Sequence, residues 1–211
     1  EKVIPNGALL VDGSKITAVL TMGEYSARSG EFAGAEAVDC AGKVIMPGLI
    51  NAHTHITLWR SFGDITLARD VATETMLAVR NSLNCLRKGV TTVRDMGHKD
   101  HVHNEMKLCA ERGVILAPRF RCANAIIEMS NGHASHFCAT VSTPQEMVSE
   151  IRRQVNAGTD FIKIVASHDD LYHLDKLSYP WFSQKDLDLL VAASHELDAK
   201  VSAHANGVET I

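Results

Sequence analysis

The segment Pro47-Gly48-Leu49-Ile50-Asn51-Ala52-His53-Thr54-His55 sets an apolar strand directly against a His-x-His pair. On an extended strand, residues i and i+2 project to the same side, so both imidazoles can meet one ion at the strand's C-terminal end. Neutral imidazoles suit zinc and similar divalent cations. His-x-His alone is a weak motif, for which a structural or incidental pair is the default reading. Its place at the end of an apolar strand, after Pro-Gly, favours the ligand reading for His53 and His55.

Outward from this segment the pattern alternates strand and helix. Apolar strand candidates lie at 48–52, 91–94, 119–123, 161–165 and 200–203, with helix-length stretches between them. Residues 71–88 end at Gly89, a natural C-terminal stop. Thr143-Pro144-Gln145-Glu146 reads as a capping box with proline in the first turn, followed by a Met147, Ile151 and Val155 stripe that ends at Gly158. Ser183 with Asp186 repeats the start signal, and Leu187, Leu190, Val191, Ser194 and Leu197 continue it. Strands that alternate with helices predict a parallel α/β sheet, either doubly wound or a (β/α)₈ barrel. Eight barrel units need about 250 residues, so a barrel reading places only about the first five units here and expects a truncated chain.

Residues 1–47 differ. Ala8 to Val11 runs into Asp12-Gly13, a hairpin dipeptide, and Ile16 to Leu20 follows. Residues 23–34 read as loop. Residues 37–40 and 44–46 flank Ala41-Gly42-Lys43 and predict a second hairpin. Such a small β module cannot close a core by itself.

Bulk properties narrow the function. The 211 residues carry a formal charge of −4, with no basic tract or aromatic ladder for nucleic acid and no field for an anionic membrane. No apolar run reaches the ~18 residues of a spanning helix. The opening Glu1-Lys2, soon followed by Pro5-Asn6-Gly7, does not read as a signal peptide. Five cysteines are scattered without a CxxC pair, which fits buried thiols in a reducing compartment and a cytoplasmic location.

Val38-Asp39-Cys40-Ala41-Gly42-Lys43-Val44-Ile45-Met46, continuing through His55, resembles the entry from β module to first barrel strand in the amidohydrolase superfamily. Gly89-Val90-Thr91-Thr92-Val93-Arg94-Asp95-Met96-Gly97 resembles that superfamily's second strand. The resemblance implies a small β-sandwich portion over residues 1–47, beside the first part of a metal-dependent hydrolase barrel of the TIM type over 48–211. It also implies one or two divalent ions, zinc first, with manganese, cobalt or iron as alternatives, and a homo-oligomer in full-length form.

Lys163 stands inside the apolar run Phe161-Ile162-Lys163-Ile164-Val165. Burial penalises the cation and lowers its pKa, and a neutral amine can combine with carbon dioxide to give an anionic carbamate. By resemblance, Lys163 is the carboxylated fourth-strand lysine that bridges two metals in the Xaa-Pro and Xaa-Arg dipeptidase-like branch. The alternative is a lysine reaching solvent or paired with a carboxylate. His204, in Ala203-His204-Ala205, matches the fifth-strand metal histidine. His133, in Gly132-His133-Ala134, matches a turn that faces substrate and would polarise the scissile carbonyl. His98, His101, His103, His136, His168, His173 and His195 read as surface residues, with His136 and the 168–173 loop able to touch substrate. Arg94 and Asp95 read as a structural ion pair.

The resemblance then implies cleavage of an amide or peptide-like C–N bond, in a dipeptide or N-acyl amino acid, by a hydroxide shared between two metals. The family's further histidine and catalytic aspartate belong to later strands. Two other readings stay open: a mononuclear deaminase or imidazolonepropionase-related ring hydrolase, which lacks the lysine ligand, and a non-catalytic member.

Overall fold

A computed structural model of the chain describes residues 3–58, 70–99, 102–130, 132, 134–135, 137–168 and 179–211. The chain divides into two compact units, Glu1–Met46 and Pro47–Ile211.

In the first unit, strands β1 (Gly7–Asp12) and β2 (Lys15–Thr21) pair antiparallel about the Asp12-Gly13 turn, where Asp12 faces Lys15. Residues 23–34, expected as loop, are largely helical: α1 spans Met22–Ala27 and a short 3₁₀ turn spans Ser29–Phe32. The cause is local. Thr21 Oγ1 accepts from the Glu24 N–H at 3.3 Å, and Glu24 returns a carboxylate to the Thr21 N–H at 2.8 Å. The second hairpin does not form. Lys43 N–H donates to the Cys40 carbonyl at 3.0 Å, so the turn closes, but no ladder extends from it. Val38 and Val44 are 77% and 85% exposed, so the apolar alternation finds no face to bury.

The second unit is α/β. In chain order it contains β3 (Leu49–Thr54), α2 (Val71–Arg87), β4 (Val90–Asp95), α3 (Val102–Glu111), β5 (Arg119–Cys122), β6 (Ile126–Met129) and β7 (Ala139–Val141). These are followed by α4 (Pro144–Asn156), β8 (Phe161–Val165), β9 (Ser167–His168), β10 (Tyr179–Pro180), α5 (Gln184–His195) and β11 (Lys200–His204). One parallel sheet runs β3-β4-β5, a second runs β11-β8-β6-β7, and β9 with β10 forms a small antiparallel ribbon. An isolated parallel bridge, His98 to Ala125, and an Asp160 N–H bond to the Cys122 carbonyl at 2.9 Å tie the two parallel sheets together. The parallel sheets fit part of a TIM-like barrel.

Helix ends follow their sequence signals. Asp70 caps α2 by accepting from the Thr73 N–H at 2.7 Å, and Gly89 follows its end at φ 79°. Thr143 caps α4 by accepting from the Glu146 N–H, but the Glu146 carboxylate reaches one residue further back, to the Ser142 N–H at 2.7 Å. Ser183 and Asp186 form the full reciprocal box on α5. The α4 stripe buries Met147 and Ile151 against Ile127, Ile162, Ile164 and Leu190. A second cluster joins Ile56, Ala78, Val93, Val102, Met106 and Phe120 beneath the His-x-His segment. No described helix is long and apolar enough to cross a membrane.

Candidate metal centre

Strands β3 and β4 run parallel, as do β8 and β11, so each pair ends its strands side by side. His53 lies in β3 and His55 just beyond it; their ring centroids are 5.5 Å apart at an interplanar angle of 55°. In the β8–β11 ladder, Lys163 pairs with Ser202 and Val165 with His204. Because facing alternates along a strand, Lys163 and His204 share one face of the sheet, one step apart. Burial first, then the charges of Lys163, Arg94 and His204, lower the His53 pKa. Burial also lowers the His55 pKa, with Lys163 contributing and Asp95 opposing. Both rings are therefore held towards the neutral form, and His53 lies within electrostatic reach of Lys163 and His204, and His55 of His53 and Lys163.

The His55 tautomer follows from its contact. Its Nδ1 lies 2.7 Å from the Gly97 carbonyl, which can only accept, so the proton sits on Nδ1 and the Nε2 lone pair is left for a ligand. Among the described residues no three His, Cys, Asp or Glu side chains converge as a ready-made cage. In kind the donor set suits a divalent ion: two imidazoles held towards neutrality at the end of β3, an imidazole on β11 and an amine on β8.

Lys163 is 3% exposed in a strand buried along its whole length. Among the described residues it makes no ion pair and no hydrogen bond. Burial, reinforced by Arg94, brings its pKa down to about 8. At that exposure the side chain does not reach solvent, and no carboxylate among the described residues pairs with it. His133, His101, His136 and His173 lie outside the described residues.

Several surface assignments are corrected. His103 is fully buried on α3, with Nε2 3.1 Å from Asp95 Oδ1. His98 is 9% exposed, with Nδ1 3.4 Å from the buried Glu74 carboxylate of α2. His168 is half-buried between Tyr179 and Trp181, with centroid separations of 4.8 and 5.2 Å. His195 is exposed at the end of α5. Arg94 does not pair with Asp95, because adjacent strand residues face opposite ways. Its guanidinium lies 4.3 Å from the Phe161 ring centroid.

Sequence reasoning passed over Glu128. It is fully buried at the end of β6, and burial pushes its carboxyl up to about 7 against the Ala134 N–H it accepts. A charged residue inside the apolar run Ile126-Ile127-Glu128-Met129 is the same signal that singled out Lys163, and it would have found this one. Glu128 holds the Ala134 N–H, and its carboxyl fills the space a Cβ on Gly132 would need.

Residues 44–211 match the model of the amidohydrolase family. The chain belongs to that family. Among curated amidohydrolase relatives, a 5-methylthioadenosine/S-adenosylhomocysteine deaminase of Nitratidesulfovibrio vulgaris (strain DP4) is 34% identical over 110 residues, 44% of this chain and 24% of the deaminase. A 5'-deoxyadenosine deaminase of Methanococcoides burtonii is 36% identical over 63 residues, 29% of this chain and 13% of that enzyme. In fold, the chain is similar to a Xaa-Pro dipeptidase solved with bound methionine, at TM-score 0.73 and 22% identity over 96% of this chain and 52% of that one. It is also similar to Aspergillus niger ochratoxinase, at TM-score 0.74 and 19% identity over 97% and 52%. This amidohydrolase chain thus spans about half the length of those solved structures.

Proposed function

We propose that the intact protein hydrolyses a C–N bond of a small amide substrate at a centre held by His53, His55, Lys163 and His204. The observation that carries the reading is the Lys163 amine, buried in mid-strand with no counter-charge among the described residues. A structural lysine in that position destabilises the fold for no return. A neutral amine with pKa brought down to about 8 has a use: its lone pair attacks carbon dioxide, a C–N bond forms as one C–O π bond breaks, one proton leaves, and the carbamate carries a single negative charge shared by two oxygens. His53 and His55 offer neutral imidazoles, and the Gly97 carbonyl fixes the His55 ring with Nε2 outward. His204 stands one step along the same sheet face as Lys163. Divalent metal, zinc or one of manganese, cobalt and iron, would supply Lewis acidity and an activated water. His133 is assigned to the substrate carbonyl. The accompanying architecture is the first part of a (β/α)₈ barrel over 48–211 and a β-sandwich portion over 1–47. The five free thiols fit a cytoplasmic protein.

A second reading, deamination of a nucleoside-like substrate, is favoured by the deaminase relatives. The two diverge at Lys163, which only the binuclear reading uses. Metal analysis of the intact protein should give close to two ions per chain, falling sharply in Lys163→Ala. Unchanged stoichiometry would reject the bridging lysine. Assays for ammonia release from 5'-deoxyadenosine, run beside amine release from dipeptides and N-acyl amino acids, then separate the substrates.

A further inference from the structure

Asp95 lies at the end of β4, fully buried, and both of its oxygens grip main chain around the His-x-His segment. Oδ2 accepts from the Ile56 N–H at 2.7 Å, one residue after His55. Oδ1 accepts from the Gly97 N–H at 2.9 Å, and the carbonyl of that same glycine accepts from His55 Nδ1 at 2.7 Å. The Met96 N–H closes the frame on the Thr54 carbonyl at 2.7 Å. Behind the carboxylate stands His103 of α3, its Nε2 3.1 Å from Asp95 Oδ1 and its side chain wholly out of solvent. The flanking α3 residues Val102 and Met106 pack in the same cluster as Ile56.

We infer that Asp95 and His103 form a positioning pair that fixes both the tautomer and the direction of the His55 ring for metal binding. The inference rests on His55 being a ligand. The logic is mechanical. The His55 ring is oriented by one acceptor, the Gly97 carbonyl, and its Cα path by the backbone that follows. A single carboxylate holds both, so the two cannot drift apart. His103 stands against the Oδ1 of this carboxylate at 3.1 Å and backs it from the core side, and its helix ties the frame to the core. Neither side chain touches the ion; both act through His55. A histidine whose ring N–H partner is pinned in this way binds metal without first having to be ordered.

The test is zinc affinity of the intact protein, measured by chelator competition, together with the visible spectrum after cobalt substitution. Asp95→Asn and His103→Ala should weaken zinc roughly 10–100-fold and change the cobalt spectrum. His103→Gln, which keeps an N–H towards Asp95, should restore most of the affinity. Glu74→Gln is the control: it neutralises another buried carboxylate, 3.4 Å from His98 Nδ1, that holds neither Ile56 nor Gly97. If Asp95→Asn and His103→Ala weaken zinc no more than Glu74→Gln does, with the cobalt spectrum intact, the positioning role is overturned. Should Asp95→Asn fail to fold, the comparison of His103→Ala with His103→Gln decides, and equal affinities there overturn the role. His55→Ala separates the levels: unchanged zinc affinity in that variant overturns the ligand reading itself, whereas lost affinity there beside intact affinity in the Asp95 and His103 variants overturns only the pair.

Discussion

Gly97 shows how much one residue carries here. Its φ of 84° lies in the left-handed region, and a Cβ would come within 2.8 Å of the Asn124 carbonyl oxygen. Gly97→Ala should cost about 1–3 kcal/mol in urea unfolding of the intact protein, and it should loosen metal binding because His55 leans on this carbonyl. Lys163 predicts the opposite sign. With the cation penalised by burial and no counter-charge among the described residues, Lys163→Met should stabilise the metal-free protein by about 1 kcal/mol at pH 7 and, on the proposed two-metal reading, lower the metal content of the intact protein. Thermal unfolding in chelator checks the first effect, and metal analysis checks the second. Lys163 was legible in the sequence because four apolar neighbours declare the strand buried whatever packs on it. His98 and His103 were not. Gly97-His98-Lys99-Asp100-His101-Val102-His103 reads locally as polar loop, and burial there depends on Glu74 and Asp95, which arrive from other elements.

Elements were legible where their own residues specify them. The strands at β3, β4, β5, β8 and β11 fall where the sequence places strand candidates between helix-length stretches, and the caps of α2, α4 and α5 directly precede the helices they start. The 37–46 segment shows the limit: a correct turn and correct alternation give no ladder without a face to bury. Thr143→Ala should cost about 1 kcal/mol through loss of the α4 cap, readable as a shift in denaturant midpoint. A stronger joint is Asp160, which enters β8. It accepts from Lys107 of α3 at 2.9 Å, from Arg121 of β5 at 2.8 Å and from the Cys122 N–H at 2.9 Å. Burial works to raise this carboxyl, but Lys107, the Cys122 N–H and Arg121 outweigh it and hold it below the ordinary carboxylate range. Arg121 is largely exposed and contributes little; Lys107 and the N–H do most. Asp160→Asn should cost about 2 kcal/mol at pH 7. A carboxylate with a depressed folded pKa stabilises above its unfolded value and loses that contribution as pH falls through the folded one. The gap between wild type and variant should therefore be full at neutral pH and close below about pH 4, as followed by urea titrations across pH.

At the scale of the molecule, alternation of strand and helix carried the fold class, since parallel pairing needs a crossover and each crossover here is a legible helix or loop. The interruption of the third strand at residues 123–125, which splits β5 from β6, was not legible, because Ala123-Asn124-Ala125 has no breaker and is bent by pairing with His98. Among the described residues, β3 pairs only with β4 and β11 only with β8, and Leu49 and Ile50 of β3 are 48% and 71% exposed. A strand satisfied along one side is a mould for another chain. Residues 1–211 produced alone should therefore sediment as concentration-dependent multimers. Peptides that supply a complementary strand to each of these edges should convert the multimers into discrete particles, through hydrogen bonds left open at the two seams.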